Sequence, residues 1–592
     1  MKIVCLVKQV PRGDAIRFDE ETKSLVREGV PLELNAFDAY AVAHAARLRE
    51  QHGGEVVAMT MGPPQAEEAL RVTLALGADR CIHLSDRVFA VADTLGTSRT
   101  LALAIRKEGA DLVLCGRKTV DSETWQVPPE VAAFLGLPHV TNAVSLELGG
   151  STLRARRLGD EGEELYELEL PALCSVALPP GGVDVDADPM DGEITVWTAA
   201  DLVAEVRPND KRFGQTGSPT RVLAVRDVSP ERMQELYEDP AEAARRVREL
   251  LAERTPAKTA LEKPERLGEQ PGASYDCWSM VELVEGRIAR VSLELLGKSR
   301  ELAGKLGGSA VGLILGNDLE GAALEAASSG AESVVVVDDE RLRDYQPDLW
   351  AGALRQVLER ERPHALLIPA TSRGRDYGPR AAGELELGMT GDCVDLGVDR
   401  AGRLIQHKPA YGGNIVSVIM GATTPQLATV RPRMFEPLEP RNNSNGGELR
   451  RFELGDLPPP RVRLVEHDAG ERAFDLDEAD TVVAVGAGVD VEQIRPAAGE
   501  LGAAIGGDRA AAEAGLVPRS RQLGLLGRAV APRLYLAVET SGDFEHAVAS
   551  VKAGVIVVFK SSSEPVTGTA DVAVAGDWRE TLPAFARAFR ET

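Results

Sequence analysis

Cysteine is scarce and scattered: six residues, at positions 5, 81, 115, 174, 277 and 393, without one Cys-x-x-Cys pair. That spacing argues against a disulfide scaffold, an iron–sulfur cluster and a structural zinc, so no metal site is expected and a reducing, cytoplasmic compartment fits. No apolar run reaches the ~18 residues of a membrane-spanning helix, and no membrane insertion is expected. The opening Met1-Lys2-Ile3-Val4-Cys5-Leu6-Val7 runs straight into a charged turn, and it reads as a buried first strand, not as a signal peptide. Positive charge is also short. Lys and Arg number 67 against 92 Asp and Glu, a net charge of −25, which opposes binding to nucleic acid or to an anionic membrane surface. It leaves open a solubilising acidic surface and docking on a basic partner. No nucleophile–base pair stands out, so no catalytic residue is assigned and the chain does not read as an enzyme. Gly-x-Gly-x-x-Gly is missing. No Ser-Gly-Gly phosphate loop follows Ile3–Val7, which argues against an ATP-using, adenylating enzyme.

What is present is a long chain of ordinary globular composition. Its 592 residues exceed one core and imply roughly three to four domains. Over the first 145 residues short apolar runs (Ile3–Val7, Val56–Met61, Cys81–Leu84, Leu112–Cys115) alternate with helical segments (Asp38–Arg47, Ala66–Leu76, Thr94–Arg106, Pro129–Leu135). Buried strands separated by helices predict a parallel sheet covered on both faces. From Ser151 to Ala177 the pattern becomes one of alternating strands, followed by an irregular acidic stretch from Pro179 to Glu193. A Pro- and charge-rich tract from Arg254 to Ala273 reads as a linker.

After that linker the layout returns. Met61-Gly62, Glu68-Ala69-Leu70 and Gly77-Ala78-Asp79 have counterparts in Leu315-Gly316, Ala322-Ala323-Leu324 and Gly330-Ala331-Glu332. Pro129-Glu130-Val131-Ala132-Ala133 recurs 250 residues on as Pro379-Arg380-Ala381-Ala382-Gly383. A repeat of that length predicts a duplicated α/β domain with pseudo-twofold pairing of the copies. A second linker, 437–480, holds Asn442-Asn443-Ser444-Asn445 and Pro458-Pro459-Pro460. The stretch from Leu501 to Asp577 then carries Gly506-Gly507-Asp508-Arg509, a strand Leu534–Val538, Ser541-Gly542 opening a helix with His546, a strand Val555–Phe559 and Ala570-Asp571. Strand, Gly/Ser turn, helix, strand places a helix N-terminus with free N–H groups at the carboxyl edge of a parallel sheet, where an anionic or dinucleotide ligand would sit. A packing unit without any ligand has the same pattern.

The N-terminal half resembles the β subunit of electron transfer flavoproteins, in Val7-Lys8-Gln9-Val10-Pro11, Asn35-Ala36-Phe37-Asp38, Thr60-Met61-Gly62-Pro63, Ala92-Asp93-Thr94 and the block Gly214–Val222. The part after the first linker resembles the α subunit, in Val291–Leu296, Gly374-Arg375-Asp376, Pro379-Arg380, Pro409–Asn414 and Pro425–Pro432. These blocks run in β-then-α order over almost the whole chain, so the resemblance implies fused subunits. It implies an α/β fold: two duplicated doubly wound parallel-sheet domains forming a base, plus a C-terminal Rossmann-like FAD domain. The division it suggests is a β-like domain at 1–253, a linker at 254–273, an α-like N-terminal α/β domain at 274–436, a linker at 437–480 and the FAD-binding domain at 481–592. It also implies electron transport. FAD would take electrons from an acyl-CoA-type or other flavin dehydrogenase and pass them to a quinone oxidoreductase, the redox chemistry belonging to the cofactor.

By the same resemblance the cofactor-binding residues are Arg509, Ser541, Gly542, His546, Lys560 and Asp571. Arg509 would balance negative charge on the flavin or pair with the pyrophosphate. Backbone N–H groups at Ser541-Gly542 would meet the ligand, and His546 would hydrogen-bond the pyrimidine edge. Lys560 stands in the basic position of an Asn-Lys-Asp motif, and Asp571 is the acidic residue near the adenosine end. The chain departs from the family pattern at several of these places. Asp508 replaces a Ser, Leu525-Leu526 a Gln-Thr pair, Glu539 a Gly and Glu545 a Gln, while Phe559 and Ser561 replace the Asn and Asp beside Lys560. New carboxylates oppose a pyrophosphate, and each polar group of the ligand left unpaired costs on the order of 1–3 kcal/mol. The alternative reading is therefore a flavin-poor relative acting as a nucleotide-binding or scaffold protein. In the β-like half, Asp121-Ser122-Glu123-Thr124-Trp125-Gln126-Val127-Pro128-Pro129 matches the family's turn for AMP or a second FAD. Pro128 lacks an N–H, which argues against a second FAD and leaves AMP open. The family's partner-recognition loop has no match in Pro179–Pro189, so the identity of the donor does not carry over.

Overall fold

The computed structural model describes residues 1–12, 17–18, 25–26, 29–177, 187–227, 231–254, 275–410, 415–438, 447–468, 474–561 and 569–590. The expected linker beyond its first residue (255–273), the Asn-rich tract from 442 and most of the Pro179–Pro189 loop lie outside the described residues. The chain divides into two compact units, 1–225 with 264–409 and 417–470, and 226–263 with 410–416 and 471–592.

In the first unit the first repeat contributes β1 (Lys2–Leu6), β2 (Glu55–Met61), β3 (Arg80–Leu84), β4 (Leu112–Gly116), β5 (His139–Gly149), β6 (Thr152–Leu158), β7 (Glu163–Glu169), β8 (Ala172–Val176) and β9 (Ile194–Trp197). The second contributes β10 (Cys277–Val281), β11 (Ala310–Gly316), β12 (Ser333–Asp338), β13 (Ala365–Pro369), β14 (Met389–Cys393), β15 (Gln426–Val430) and β16 (Glu448–Arg451). β4, β8, β10 and β13 are buried at every position, as continuous apolar runs must be when helices cover both faces of a parallel sheet. The parallel strands run in the orders β9-β3-β2-β1-β4-β8-β5 and β16-β12-β11-β10-β13-β15-β14, the same topology position for position, and the first sheet continues antiparallel from β5 through β6 and β7. The repeat in the sequence is thus a repeat in the fold.

The two copies meet through equivalent helices, Val127–Leu135 and Gly374–Glu384. A Cβ at Gly383 would lie 3.0 Å from the Cβ of Ala133 and 3.3 Å from the Cα of Glu130, so glycine is what permits the approach. Ala133 and Gly383 are themselves equivalent positions, and equivalent residues touch where a pseudo-twofold axis passes between copies.

Glu130 sits at this junction, 1% exposed, its carboxylate accepting from Ser98 Oγ (2.9 Å), Thr94 Oγ1 (3.1 Å) and Gln126 Nε2 (3.3 Å). Burial outweighs these bonds and pushes its pKa up to about 8, and burial likewise raises Glu282 and Glu294 to about 7. Between about pH 4.5 and 8 the unfolded chain therefore releases a proton that the folded Glu130 keeps, so stability falls as pH rises through that window and levels off above it. Glu130→Gln should flatten this slope. Urea unfolding at the two ends of the window checks it: the unsubstituted chain should lose more stability on alkalinisation than the variant.

In the second unit the parallel strands run Glu235–Tyr237, Val572–Ala575, Val555–Lys560, Leu534–Val538, Thr481–Val485, Ala504–Gly507. From Thr481 onward, counted in chain order, this is the doubly wound order 2-1-3-4-5, whose direction reverses between Thr481–Val485 and Leu534–Val538. Its core joins Val483, Val538, Val557, Phe559, Trp578 and Phe585.

Three expectations are corrected here. The β-like segment expected to extend to 253 gives its last part to the second unit, where Glu235–Tyr237 extends the sheet and the helix Pro240–Arg254 packs Ala243, Ala244, Val247 and Leu250 into that core. An apolar helical stripe announces that a face will be covered, not which domain covers it. The expected linker 437–480 contains β16 and β17 (Val462–Asp468), which join the edge of β12 and the edge of β7. Both are largely exposed edge strands, so they carry no apolar alternation to betray them. The helix expected to open at Ser541-Gly542 is one turn, Phe544–Ala547. Among the described residues no helix is long and apolar enough to cross a membrane, and no cluster of side chains could hold a metal ion.

Candidate functional site

Open α/β sheets take ligands beyond the carboxyl ends of their strands, at the point where strand order reverses. In the second unit that point lies between Thr481–Val485 and Leu534–Val538, and at the same carboxyl edge Ala504–Gly507 runs into Asp508 and Leu534–Val538 runs on towards Ser541. A cleft with a cavity volume of about 180 Å³ opens there, lined among others by Asp508, Arg509, Leu525, Leu526, Ser541 and His546; this is smaller than the ~300–1,000 Å³ usual for sites that enclose a whole small molecule. The strand ends approach closely beneath it. A Cβ on Gly486 would lie 2.0 Å from the carbonyl oxygen of Glu539, so only glycine lets Gly486 N–H reach the Val538 carbonyl at 3.0 Å.

The N–H groups expected to be free at this edge are not free. Asp508, 4% exposed, caps the helix Arg509–Glu513: one carboxylate oxygen accepts from Ala511 N at 2.8 Å and the other from Ser541 N at 3.2 Å. Asp543 caps the turn Phe544–Ala547, accepting from His546 N at 2.9 Å. An aspartate before a helical run is a strong cap signal, and it is the signal that could have marked these two caps, which the sequence reading missed. Arg509 pairs with Glu513 (2.8 Å) and faces Glu545 (3.6 Å).

His546 is buried, its Nε2 3.2 Å from the Tyr535 hydroxyl. Its Nδ1 is buried with no hydrogen-bond partner among the described residues. Burial lowers the imidazole pKa, against the opposing pull of Asp508 and Asp543, so the ring is held neutral. Burial raises the Tyr535 phenol, which keeps its proton. The hydroxyl and Nε2 can share their hydrogen bond in either direction; where the hydroxyl donates, the ring proton sits on Nδ1, the atom without a partner. Tyr535 is the positioning residue that sequence reading missed, because an aromatic in an apolar strand looks like core.

Of the six expected site residues, Arg509, Ser541 and His546 come together at the cleft, with Gly542 (φ +68°) turning the chain between Ser541 and Asp543. Lys560 ends the neighbouring strand Val555–Lys560 and does not line the cleft. Asp571 is a correction. It precedes Val572–Ala575 at the amino edge of the sheet, opposite the cleft, wholly buried, its oxygens taken by Arg232 (2.8 Å), Arg254 (2.9 Å) and Ile556 N (2.9 Å). It is an internal ion-pair centre. Of the replacements, Asp508, Glu545, Leu525 and Leu526 line the cleft. Glu539 turns away to accept from Ser561 N at 2.8 Å, and Phe559 stacks edge-on against Phe585 in the core.

In the first unit the turn Asp121–Pro129 is occupied by its own charges. Glu123, buried and at φ +46°, receives Lys118 (3.0 Å) and Arg431 (3.1 Å). Trp125 lies under the Arg375 guanidinium at 4.5 Å.

Comparison with known families decides what this scaffold is. The model of the electron transfer flavoprotein domain matches twice, at 22–202 and 277–457, and that of the electron transfer flavoprotein FAD-binding domain matches 475–551. The chain belongs to the electron transfer flavoprotein family. Its N-terminal half is similar to electron transfer flavoprotein subunit beta of Thermoanaerobacterium thermosaccharolyticum, 40% identical over 243 residues, covering 40% of this chain and 92% of that one. Its C-terminal half is similar to subunit alpha of Clostridium acetobutylicum, 34% identical over 319 residues, 52% of this chain and 94% of that one. A further relative is the lactate dehydrogenase (NAD(+),ferredoxin) subunit LctC of Acetobacterium woodii, 34% identical over 313 residues, 51% of this chain and 74% of that one. This flavoprotein is thus a β–α fusion in one polypeptide, with an electron-transfer role and a FAD-binding domain at its C-terminal end.

The cleft fits the ring end of a flavin. It offers a neutral histidine with an unpartnered buried nitrogen, a guanidinium and two leucines. The helix-tip donors beside them are already engaged by Asp508 and Asp543.

Proposed function

We propose that this flavoprotein carries electrons on FAD held in the switch-point cleft of its C-terminal domain, between a flavin-containing dehydrogenase and a quinone-reducing acceptor. The observation that carries the reading is His546: a buried ring fixed by Tyr535, with one nitrogen left unpartnered, in a cleft of the domain that matches the family's FAD-binding model. FAD, when bound, supplies the capacity to take up one or two electrons. The chain's own part is to bind and to tune. Arg509 would balance negative charge, His546 would offer Nδ1–H to a carbonyl acceptor, and Leu525 and Leu526 would keep water from the ring. An acyl-CoA-type dehydrogenase is the proposed donor. The relative described as a lactate dehydrogenase subunit makes a hydroxy-acid dehydrogenase the next to try.

The test is purification of the full chain and reconstitution with FAD, followed by potentiometry. A stoichiometric flavin is expected, and Arg509→Ala should lower the potential of its first one-electron reduction by about 45 mV, the equivalent of roughly 1 kcal/mol of charge stabilisation at a part-exposed site. A flavin whose potential and affinity ignore Arg509 would contradict the role given to that residue. The second reading, a flavin-poor relative with nucleotide-binding or scaffold function, is favoured by the capped helix tips and by Leu525-Leu526; a chain that takes up no FAD on reconstitution is its signature. AMP at the Asp121–Pro129 turn would compete with Glu123 for Lys118 and Arg431. Nucleotide released by denaturing the purified protein settles its presence.

A further inference from the structure

We propose that Asp508 is a specificity-determining residue: a resident anion that sets the cleft against the diphosphate of a dinucleotide and leaves its uncharged ring end to carry the affinity. The proposal rests on the reading of the cleft as a flavin site and concerns which part of the flavin that site recognises.

A loop-to-helix tip at a sheet's carboxyl edge binds anions because its backbone N–H groups have no partner in the helix. Here one carboxylate bridges the segments that follow Ala504–Gly507 and Leu534–Val538, accepting from Ala511 N at 2.8 Å on one side and Ser541 N at 3.2 Å on the other. It is 4% exposed, so its charge is poorly screened, and it stands where an incoming phosphate would have to stand to use the same donors. Asp543 engages the neighbouring tip in the same way through His546 N. Among the described residues the one guanidinium lining the cleft, Arg509, is shared between Glu513 and Glu545, which line it as well. With Asp508 and Asp543, the cleft wall therefore carries four carboxylates to that guanidinium. A diphosphate entering it meets repulsion and finds its hydrogen-bond donors spent. An isoalloxazine ring meets His546 and two leucines instead.

The position tolerates a clean test, because serine caps a helix about as well as aspartate does. Asp508→Ser keeps the acceptor for Ala511 N and removes the charge; Asp508→Asn keeps the shape as well. The affinities of the full-length protein and both variants for FAD and for riboflavin would be measured by quenching of flavin fluorescence. The unsubstituted chain should prefer FAD over riboflavin by less than about tenfold, and both variants should gain about tenfold or more for FAD while riboflavin stays within about twofold. FAD affinity that is unchanged or weaker in both variants, with riboflavin still bound, overturns the role of Asp508 and leaves the flavin site standing. Binding of neither flavin by any of the three proteins overturns the site, and the proposal with it.

Discussion

Asp571→Ala is expected to destabilise the C-terminal unit by about 3–5 kcal/mol, the cost of removing one partner from a buried ion pair. The carboxylate holds together parts of the chain some three hundred residues apart in sequence. Arg232 reaches it at 2.8 Å and Arg254 at 2.9 Å, and each guanidinium also donates to carbonyls of the 551–554 turn. Without the carboxylate the Arg232 side chain, 4% exposed, stays buried with carbonyl oxygens alone to balance it. Burial by itself would raise the Asp571 pKa; the two arginines and the Ile556 N–H more than offset it and hold it low. Its contribution is thus complete above the ordinary carboxylate range and fades as pH falls through the depressed value. Loss of the triad should free the strand Glu235–Tyr237 and the helix Pro240–Arg254 first, since both are fastened at this point. Limited proteolysis should then cut between 226 and 254 in the variant at a protease dose that spares the parent. Pairing Asp571→Leu with Arg232→Met should cost less than the sum of the two single changes, because the second removes the charge the first strands.

That triad marks the limit of what the sequence discloses. The duplicated sheets were legible because β1, β2, β4 and their counterparts are unbroken apolar runs between helices, and because Pro129–Ala133 and Pro379–Gly383 repeat at a place where equivalent residues of the copies touch. The edge strands Glu448–Arg451 and Val462–Asp468 were not legible: a strand with one covered edge and little burial has no periodicity distinct from that of a polar loop. At the site, Asp508 announced itself as a departure only, and the structure shows the same carboxylate to be a cap. Arg509, Ser541 and His546 lie on segments whose local pattern fixes which edge of the sheet they occupy, so they could be placed together in advance. Asp571 follows the same kind of apolar segment but stands at the start of its strand, not the end. A motif match does not register that difference, and it moves the residue to the far edge of the sheet.

The counterpart in the first unit should behave differently with pH, and that difference is diagnostic. Arg157, 1% exposed, lies between two carboxylates: it donates through Nε to Glu164 at 2.7 Å and through a terminal nitrogen to Asp376. Tyr166 and Tyr345 cover its faces at 5.3 and 5.4 Å. The strands β6 and β7 of the first repeat supply Arg157 and Glu164, and the helix Gly374–Glu384 of the second supplies Asp376, so the cluster fastens the two copies together. Burial would push both carboxyl groups up, but Arg157 outweighs it and holds both low. Arg157→Leu leaves two buried carboxylates facing Thr141, Tyr166, Tyr345 and the imidazole of His139, 3.7 Å from Asp376. A loss of about 3–5 kcal/mol is expected at neutral pH. In the variant burial is opposed only by Arg373 and Tyr166 at Glu164 and by His139 and Thr141 at Asp376, so both carboxyl pKa values move up. The stability that the parent gains as pH rises through the carboxylate range then shrinks or reverses. The penalty measured by chemical denaturation should therefore shrink markedly from pH 8 to pH 5, and Asp376→Asn added to Arg157→Leu should recover part of it at the higher pH. A penalty that stays constant across that range would mean the guanidinium acts there through packing alone.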